Sequence, residues 1–116
     1  MSGESGMATI QETAQRICHA ASVRLADTDI IFSDTLQKFG DVLNMAGFQR
    51  FLEREAIEVV IIDPVYLCLP AEVNAANLFD MGRMLRNVSE VCQAAGCTLV
   101  LAYHLKKNVA NPYAPE

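Results

Sequence analysis

The hydrophobic pattern is most informative between Glu58 and Pro64, where four β-branched residues follow one another and end at Asp63. A run without polar alternation is typical of a strand buried on both faces, as in a parallel sheet covered by helices on two sides. A second continuous apolar run covers residues 98–103, and a third, Ile30–Ser33, is short and β-prone. The chain is therefore predicted to contain three strands.

Three helices are predicted from apolar residues that recur every three or four positions. Thr9–Glu12 fits a capping box at the start of a helix over residues 9–25, and Asp41 is a plausible N-cap for a second helix. The most regular pattern covers residues 77–95 and stops at Gly96, a residue suited to a helix C-terminus. Because helices and strands alternate, the fold class is predicted to be α/β, with a mainly parallel sheet.

Composition limits the chain to one domain. Its 116 residues, 52% of them hydrophobic, are enough for a real core. The net charge of −5 argues against a broadly basic surface for nucleic acid, although Arg83, Arg86, Lys106 and Lys107 could meet an anion locally. The sequence has no leader pattern and no run of membrane-spanning length, so a cytoplasmic location is expected. The four cysteines fit no zinc spacing, and buried, reduced thiols are expected.

Two polar residues close the predicted strands, Asp63 and His104. The carboxyl ends of parallel strands share one border of the sheet, so both should line that border if their strands are neighbours. Lys107, three residues beyond His104, adds a positive charge. The alternative is structural: Asp63 caps a turn with Pro64, and His104 stands where its strand meets water.

These residues resemble a known family. Val-Val-Ile-Ile-Asp-Pro at 59–64 resembles the Walker B strand of RecA-like P-loop ATPases of the RepA and RadA type, within the AAA family. Leu-Val-Leu-Ala-Tyr-His-Leu-Lys-Lys at 99–107 resembles their following strand, with Tyr103 where many relatives have the first of two histidines. Ser-Gly-Glu-Ser at 2–5, ahead of the helical residues 11–17, is similar to the point where these ATPases end a strand in Ser-Gly-Glu.

The resemblance implies a partial three-layer sandwich with a mainly parallel sheet of three or four strands. Asp63 would hold Mg²⁺ through its water shell beside ATP. Glu4 would orient or deprotonate the attacking water, and His104 would sense the γ-phosphate. Lys107 would add positive charge near the phosphates or a neighbouring subunit's site. The parent protein would be a helicase-related homo-oligomer that uses ATP hydrolysis in DNA replication or recombination.

The sequence contains no Gly-x-x-x-x-Gly-Lys-[Ser/Thr] motif. That loop supplies the backbone N–H groups and the lysine that bind the β- and γ-phosphates, and one Asp-held magnesium ion cannot replace it. We therefore expect residues 1–107 to be the Walker B part of an ATPase core, inactive in isolation, and residues 108–116 to be an irregular tail. Asn74 and Asn77 are weak candidates for transmitting nucleotide state, and helix capping explains them better.

Two other functions remain open at this point. A receiver-type signalling domain would use Asp63 as its phosphoacceptor, with Pro70 downstream and a lysine after the last strand. Such a domain also needs a pair of acidic residues at the end of its first strand to hold a metal ion. Asp27 and Asp29 precede a predicted strand instead of following one, so this pair is missing. A non-catalytic, partner-binding domain is the second alternative, since an incomplete sheet leaves apolar surface and strand edges uncovered.

Overall fold

The computed structural model describes residue 1, residues 6–70 and residues 78–103, without the side chain of residue 78. In chain order it contains α1 (Met7–Ala20), α2 (Val42–Arg54), β1 (Val59–Ile62), α3 (Leu78–Ala94) and β2 (Thr98–Leu101). Single 3₁₀ turns lie at Leu25–Asp27 and Val65–Cys68. The predicted α/β class is confirmed. The predicted tail at 108–116 lies outside the described residues.

β1 and β2 pair in parallel, with Ile62 opposite Leu101. The hydrogen bonds continue past both strand ends, because the Thr98 N–H donates to the Glu58 carbonyl at 2.8 Å and the Ala102 N–H donates to the Ile62 carbonyl at 2.9 Å. The predicted parallel sheet is therefore confirmed, and its two strands are direct neighbours.

The strand predicted at Ile30–Ser33 was wrong. This segment is not part of any helix or strand, and the side chains of Ile30 and Ile31 are more than half exposed. β-Propensity describes how well a side chain suits a sheet surface, so an apolar run without a partner edge stays irregular. Within the described residues the sheet has two strands instead of three or four.

One hydrophobic core lies between the sheet and the helices α2 and α3. Both helices direct an apolar stripe toward the side chains that β1 contributes to the core, and this is why the helices pack against the sheet. The Val65–Cys68 turn and the segment before α2 close the core. Its buried members are Phe39, Met45, Phe48, Leu52, Val60, Ile62, Val65, Cys68, Met84, Val88, Cys92 and Cys97.

The opposite face of the sheet carries no helix among the described residues. Val59 and Ile61 are each 54% exposed and Val100 is 44% exposed, because side chains alternate along a strand and the helices of the core cover one side. The prediction of a strand buried on both faces was therefore wrong for the described part of the chain. Of the two helical layers expected in a three-layer sandwich, the structure places one against the sheet.

The helix N-termini differ from prediction in one case. Gly6 is the N-cap of α1 and makes no side-chain bond, so Thr9 lies inside the helix and the predicted capping box was wrong. No residue of α1 is buried, and Ile17 is 63% exposed. The predicted cap of α2 is confirmed, since the Asp41 carboxylate accepts from the Asn44 N–H at 2.9 Å.

No helix in the described ranges is long and apolar enough to cross a membrane.

All three helices end with a residue in the left-handed region followed by a hydrogen bond back across the last turn. Gly96 has φ +72° after α3, Ala56 has φ +51° after α2, and Ser22 has φ +58° after α1. After α3, the Cys97 N–H donates to the Cys92 carbonyl at 2.8 Å. The predicted stop at Gly96 is confirmed.

The one-sided core generates a test with two adjacent residues. Ile62 is fully buried, and Ile61 lies on the open face. Ile62→Ala should lower the free energy of unfolding by about 2–5 kcal/mol, because it leaves a cavity. Ile61→Ala should cost less than about 1 kcal/mol. Urea unfolding measures both, and equal losses would contradict the one-sided arrangement.

The helix C-termini generate a second test. An added Cβ at Gly96 would meet nothing within 4 Å, so Gly96→Ala reports backbone strain alone and should cost about 1 kcal/mol. Ala56→Gly removes the same strain and should stabilise by up to about 1 kcal/mol, offset in part by the flexibility of glycine in the unfolded chain. Thermal unfolding of both variants measures the effects, and shifts of the same sign would argue against left-handed caps at these two positions.

Candidate functional site

Asp63 lies directly after β1, at the carboxyl end of the strand. Its side chain is half-buried and, by the alternation of the strand, follows Ile61 onto the face that the helices leave open. The turn after it is tied to β2, because the Val65 N–H donates to the Ala102 carbonyl at 3.1 Å, while the Ala102 N–H donates to Ile62. The ends of both strands therefore lie at one border of the sheet, with Asp63 on that border.

The strand predicted to carry His104 is thus the direct neighbour of the strand that carries Asp63. The last described residue of that stretch is Tyr103, which is 53% exposed. The other predicted site residues, Glu4, His104, Lys107, Asn74 and Asn77, lie outside the described residues. The roles assigned to them stay predictions.

The other edge of β1 is occupied at one point by Met1. The Met1 amino group donates to the Ile61 carbonyl at 2.8 Å, and the Asp63 N–H donates to the Met1 carbonyl at 2.9 Å. These two bonds bracket Ile62 in the pattern of a parallel ladder. Burial lowers the pKa of the Met1 amino group, and the nearby Asp63 carboxylate opposes that shift. The described start of the chain therefore lies next to Asp63.

An open cleft of about 1220 Å³ runs beside this edge of β1. Its apolar lining comes from the segment around Ile31, from α2 and from β1. Every charged side chain among its described lining residues is acidic: Asp29, Glu55, Glu58 and Asp63. The Met1 amino group also lies in the lining, so the charge among the described residues is acidic on balance, which favours a cation over a free polyphosphate.

Sequence reasoning found Asp63 and missed the other three carboxylates of the cleft. Their acidic nature was visible in the sequence, but their shared cleft was not, because it depends on how the segment that contains Asp29 and the turn between α2 and β1 fold around this edge of the sheet. A carboxylate that ends a buried strand has a recognisable signal, whereas carboxylates on turns have none.

The described residues fit a magnesium ion and do not fit the phosphates. Mg²⁺ keeps several of its waters and is commonly bound through one or two carboxylates, which a half-buried Asp63 at a strand end can supply. Within the described ranges no cluster of three or more His, Cys, Asp or Glu side chains could enclose a metal ion, so a cage made only of protein ligands is absent there. Among the described lining residues there is no lysine or arginine for an anion.

Comparison with known proteins identifies the family. A family model described as AAA domain matches residues 1–110. The chain belongs to the AAA domain family. No curated protein and no solved structure matches it significantly. The match spans Asp63 and both strands, so this AAA domain is related to the P-loop ATPases, and the receiver interpretation of Asp63 loses its support.

Proposed function

We propose that this AAA domain is the Walker B part of a RecA-like ATPase and that Asp63 holds the Mg²⁺ of bound ATP through water. The observation that carries the proposal is the position of Asp63 at the carboxyl end of β1, beside β2 and facing an acidic cleft. Ligands of open α/β sheets bind outside the carboxyl ends of the strands.

The contribution of the chain itself is to fix the position of that carboxylate. When bound, Mg²⁺ would neutralise charge on the β- and γ-phosphates. The backbone around Asp63 is held on both sides, by its own N–H bond to the Met1 carbonyl and by the bond from Ala102 to the preceding carbonyl of Ile62. A carboxylate held in this way loses little entropy when it orients metal-bound water.

The remaining roles follow the family resemblance. Glu4 would orient or deprotonate the attacking water, His104 would sense the γ-phosphate, and Lys107 would add positive charge. Met1 lies beside Asp63, and Glu4 follows Met1 by three residues in the sequence, which supports this role.

The sequence lacks the element that binds the phosphates in P-loop ATPases, because it contains no glycine-rich phosphate loop. In the described lining of the cleft, all charged side chains are acidic. Most phosphate affinity in P-loop ATPases comes from such a loop. We therefore propose that the isolated chain does not hydrolyse ATP and that work in DNA replication or recombination belongs to a complete, homo-oligomeric motor.

The metal site can be tested without nucleotide. Mn²⁺ substitutes for Mg²⁺ and broadens the NMR signals of nearby amides. In a titration of the labelled chain, the amides of Asp63, Val65 and Ala102 should broaden first. Asp63→Asn should abolish this selectivity, whereas Glu90→Gln, which changes an exposed carboxylate on α3 outside this cleft, should leave it intact. Unchanged broadening in Asp63→Asn would refute the proposed metal site.

The absence of turnover is tested separately, by measuring phosphate release from Mg-ATP. The isolated chain should release phosphate at the rate of the buffer, because its described cleft offers nothing that would hold the triphosphate. Turnover that disappears in Asp63→Ala would show that phosphate binding does not need the missing loop.

A partner-binding role is the second candidate, and the open face of the sheet favours it. Val59, Ile61 and Val100 form an exposed apolar strip on one face of the described sheet, which is the kind of surface that docks on another chain. This role is compatible with the first, because an ATPase part that lacks neighbouring elements exposes the same strip.

The second candidate makes its own prediction. The chain should bind an exposed-hydrophobe dye and self-associate as its concentration rises. Ile61→Lys should weaken both, because it places a charge in the strip. Val42→Lys is the control, since Val42 is 81% exposed at the start of α2. A monomer that binds no dye would rule this role out.

A further inference from the structure

Two buried thiols meet where α3 passes into β2. Cys92 lies in the last turn of α3 and is fully buried, and Cys97 directly precedes β2 and is 7% exposed. All four cysteines of the chain are free, and three of them are buried. Each thiol lies close enough to affect the pKa of the other, and the Cys97 S–H donates to the Thr98 carbonyl at 3.6 Å.

The backbone holds this contact in place. The Cys97 N–H donates to the Cys92 carbonyl at 2.8 Å, and the Gly96 N–H donates to the Gln93 carbonyl at 3.0 Å. These are the two bonds of a helix C-cap that brings the third-last residue of the helix, Cys92, close to the third residue after it, Cys97. A short loop closed by hydrogen bonds is also what a disulfide needs, because two cysteines can be bridged only when their backbones are already close.

We propose that Cys92 and Cys97 form a redox-modification site, at which a hydroperoxide converts the thiol pair into a disulfide across the cap of α3. The bridge would join the last turn of α3 to the first residue before β2. The disulfide would add a covalent link between α3 and β2, which hydrogen bonds of the helix cap already hold together.

The chemistry balances with one molecule of the simplest hydroperoxide, hydrogen peroxide. Cys97, the more exposed thiol, loses its proton and attacks one peroxide oxygen, which breaks the O–O bond, releases water and leaves Cys97 as a sulfenic acid. The Cys92 sulfur then attacks the Cys97 sulfur, forming the S–S bond and releasing a second water. Two thiols are oxidised and one peroxide is reduced to two waters.

The environment of the pair makes the reaction slow at neutral pH. Burial raises the pKa of Cys92 to about 11 and also raises the pKa of Cys97. The thiolate is the reactive form, so both groups are mostly unreactive thiols near neutrality, and the rate should rise with pH. A site of this kind responds to strong or prolonged oxidation and not to brief exposure.

Cys68 provides an internal comparison. It is 2% exposed, and burial raises its pKa to about 11, as it does for Cys92. The groups that influence it among the described residues are Gln37 and the Met1 amino group, with no second thiol. Burial and acidity are therefore matched, and the presence of a thiol neighbour is the difference between the two positions.

The test uses the full chain with Cys18→Ala, which removes the more accessible thiol. The folded protein is treated with hydrogen peroxide, blocked with a thiol reagent and digested with trypsin, which leaves both cysteines in the peptide between Arg86 and Lys106. This peptide should become about 2 Da lighter and escape blocking, while Cys68 stays blocked as a thiol. Conversion should be faster at alkaline than at neutral pH.

Tandem mass spectrometry of that peptide locates the bridge without relying on a further variant. Adding Cys92→Ala should eliminate the lighter peptide and leave Cys97 as a sulfenic acid that dimedone traps. The proposal is overturned if the peptide gains oxygen without losing hydrogen, or if Cys68 is oxidised as readily as the pair.

Discussion

The parallel pairing of β1 with β2 is the interaction on which the rest of this structure depends. Hydrogen bonds run from Glu58, before the first strand, to Ala102, after the second. This ladder fixes which side chains face the core and brings the carboxyl ends of both strands to one border. The ladder places Asp63 on that border, so the position of the candidate site follows from the register between the two strands.

The core stabilises this pairing from one side only. Helices α2 and α3 bury Val60 and Ile62, while Val59, Ile61 and Val100 stay largely exposed on the other face. An apolar sheet face of this kind is normally covered, either by further elements or by another chain. In the described part of the chain, the fold is thus ordered around a sheet that its helices cover on one face.

The parts of the fold with a strong periodic signal could be predicted from the sequence. The helix before Gly96 and the cap at Asp41 belong to this group, because their signals are local. The exposed face of β1 could not be predicted, since Val59 to Ile62 have the same chemical character on both sides of the strand. The segment Ile30–Ser33 shows the same limit: its residues suit a sheet, but pairing depends on an edge that no local pattern reveals.

The candidate site was predictable to a similar degree. An acid that ends an apolar run has a recognisable signal, and Asp63 lies where that signal placed it. The acidic character of the surrounding cleft depends on tertiary proximity, and it explains why a metal fits this border better than a free polyphosphate does. Membership of the AAA domain family relates this chain to the P-loop ATPases, and it supports the proposal that this border of the sheet serves a nucleotide.

The central claim is that an acid and an imidazole share one border of the sheet. The most direct test is a NOESY spectrum of the folded, labelled chain. It should show contacts between the imidazole protons of His104 and the side chains of Asp63 or Pro64, together with cross-strand contacts between Ile62 and Leu101. Cross-strand contacts without any contact from His104 to the Asp63 turn would contradict the account.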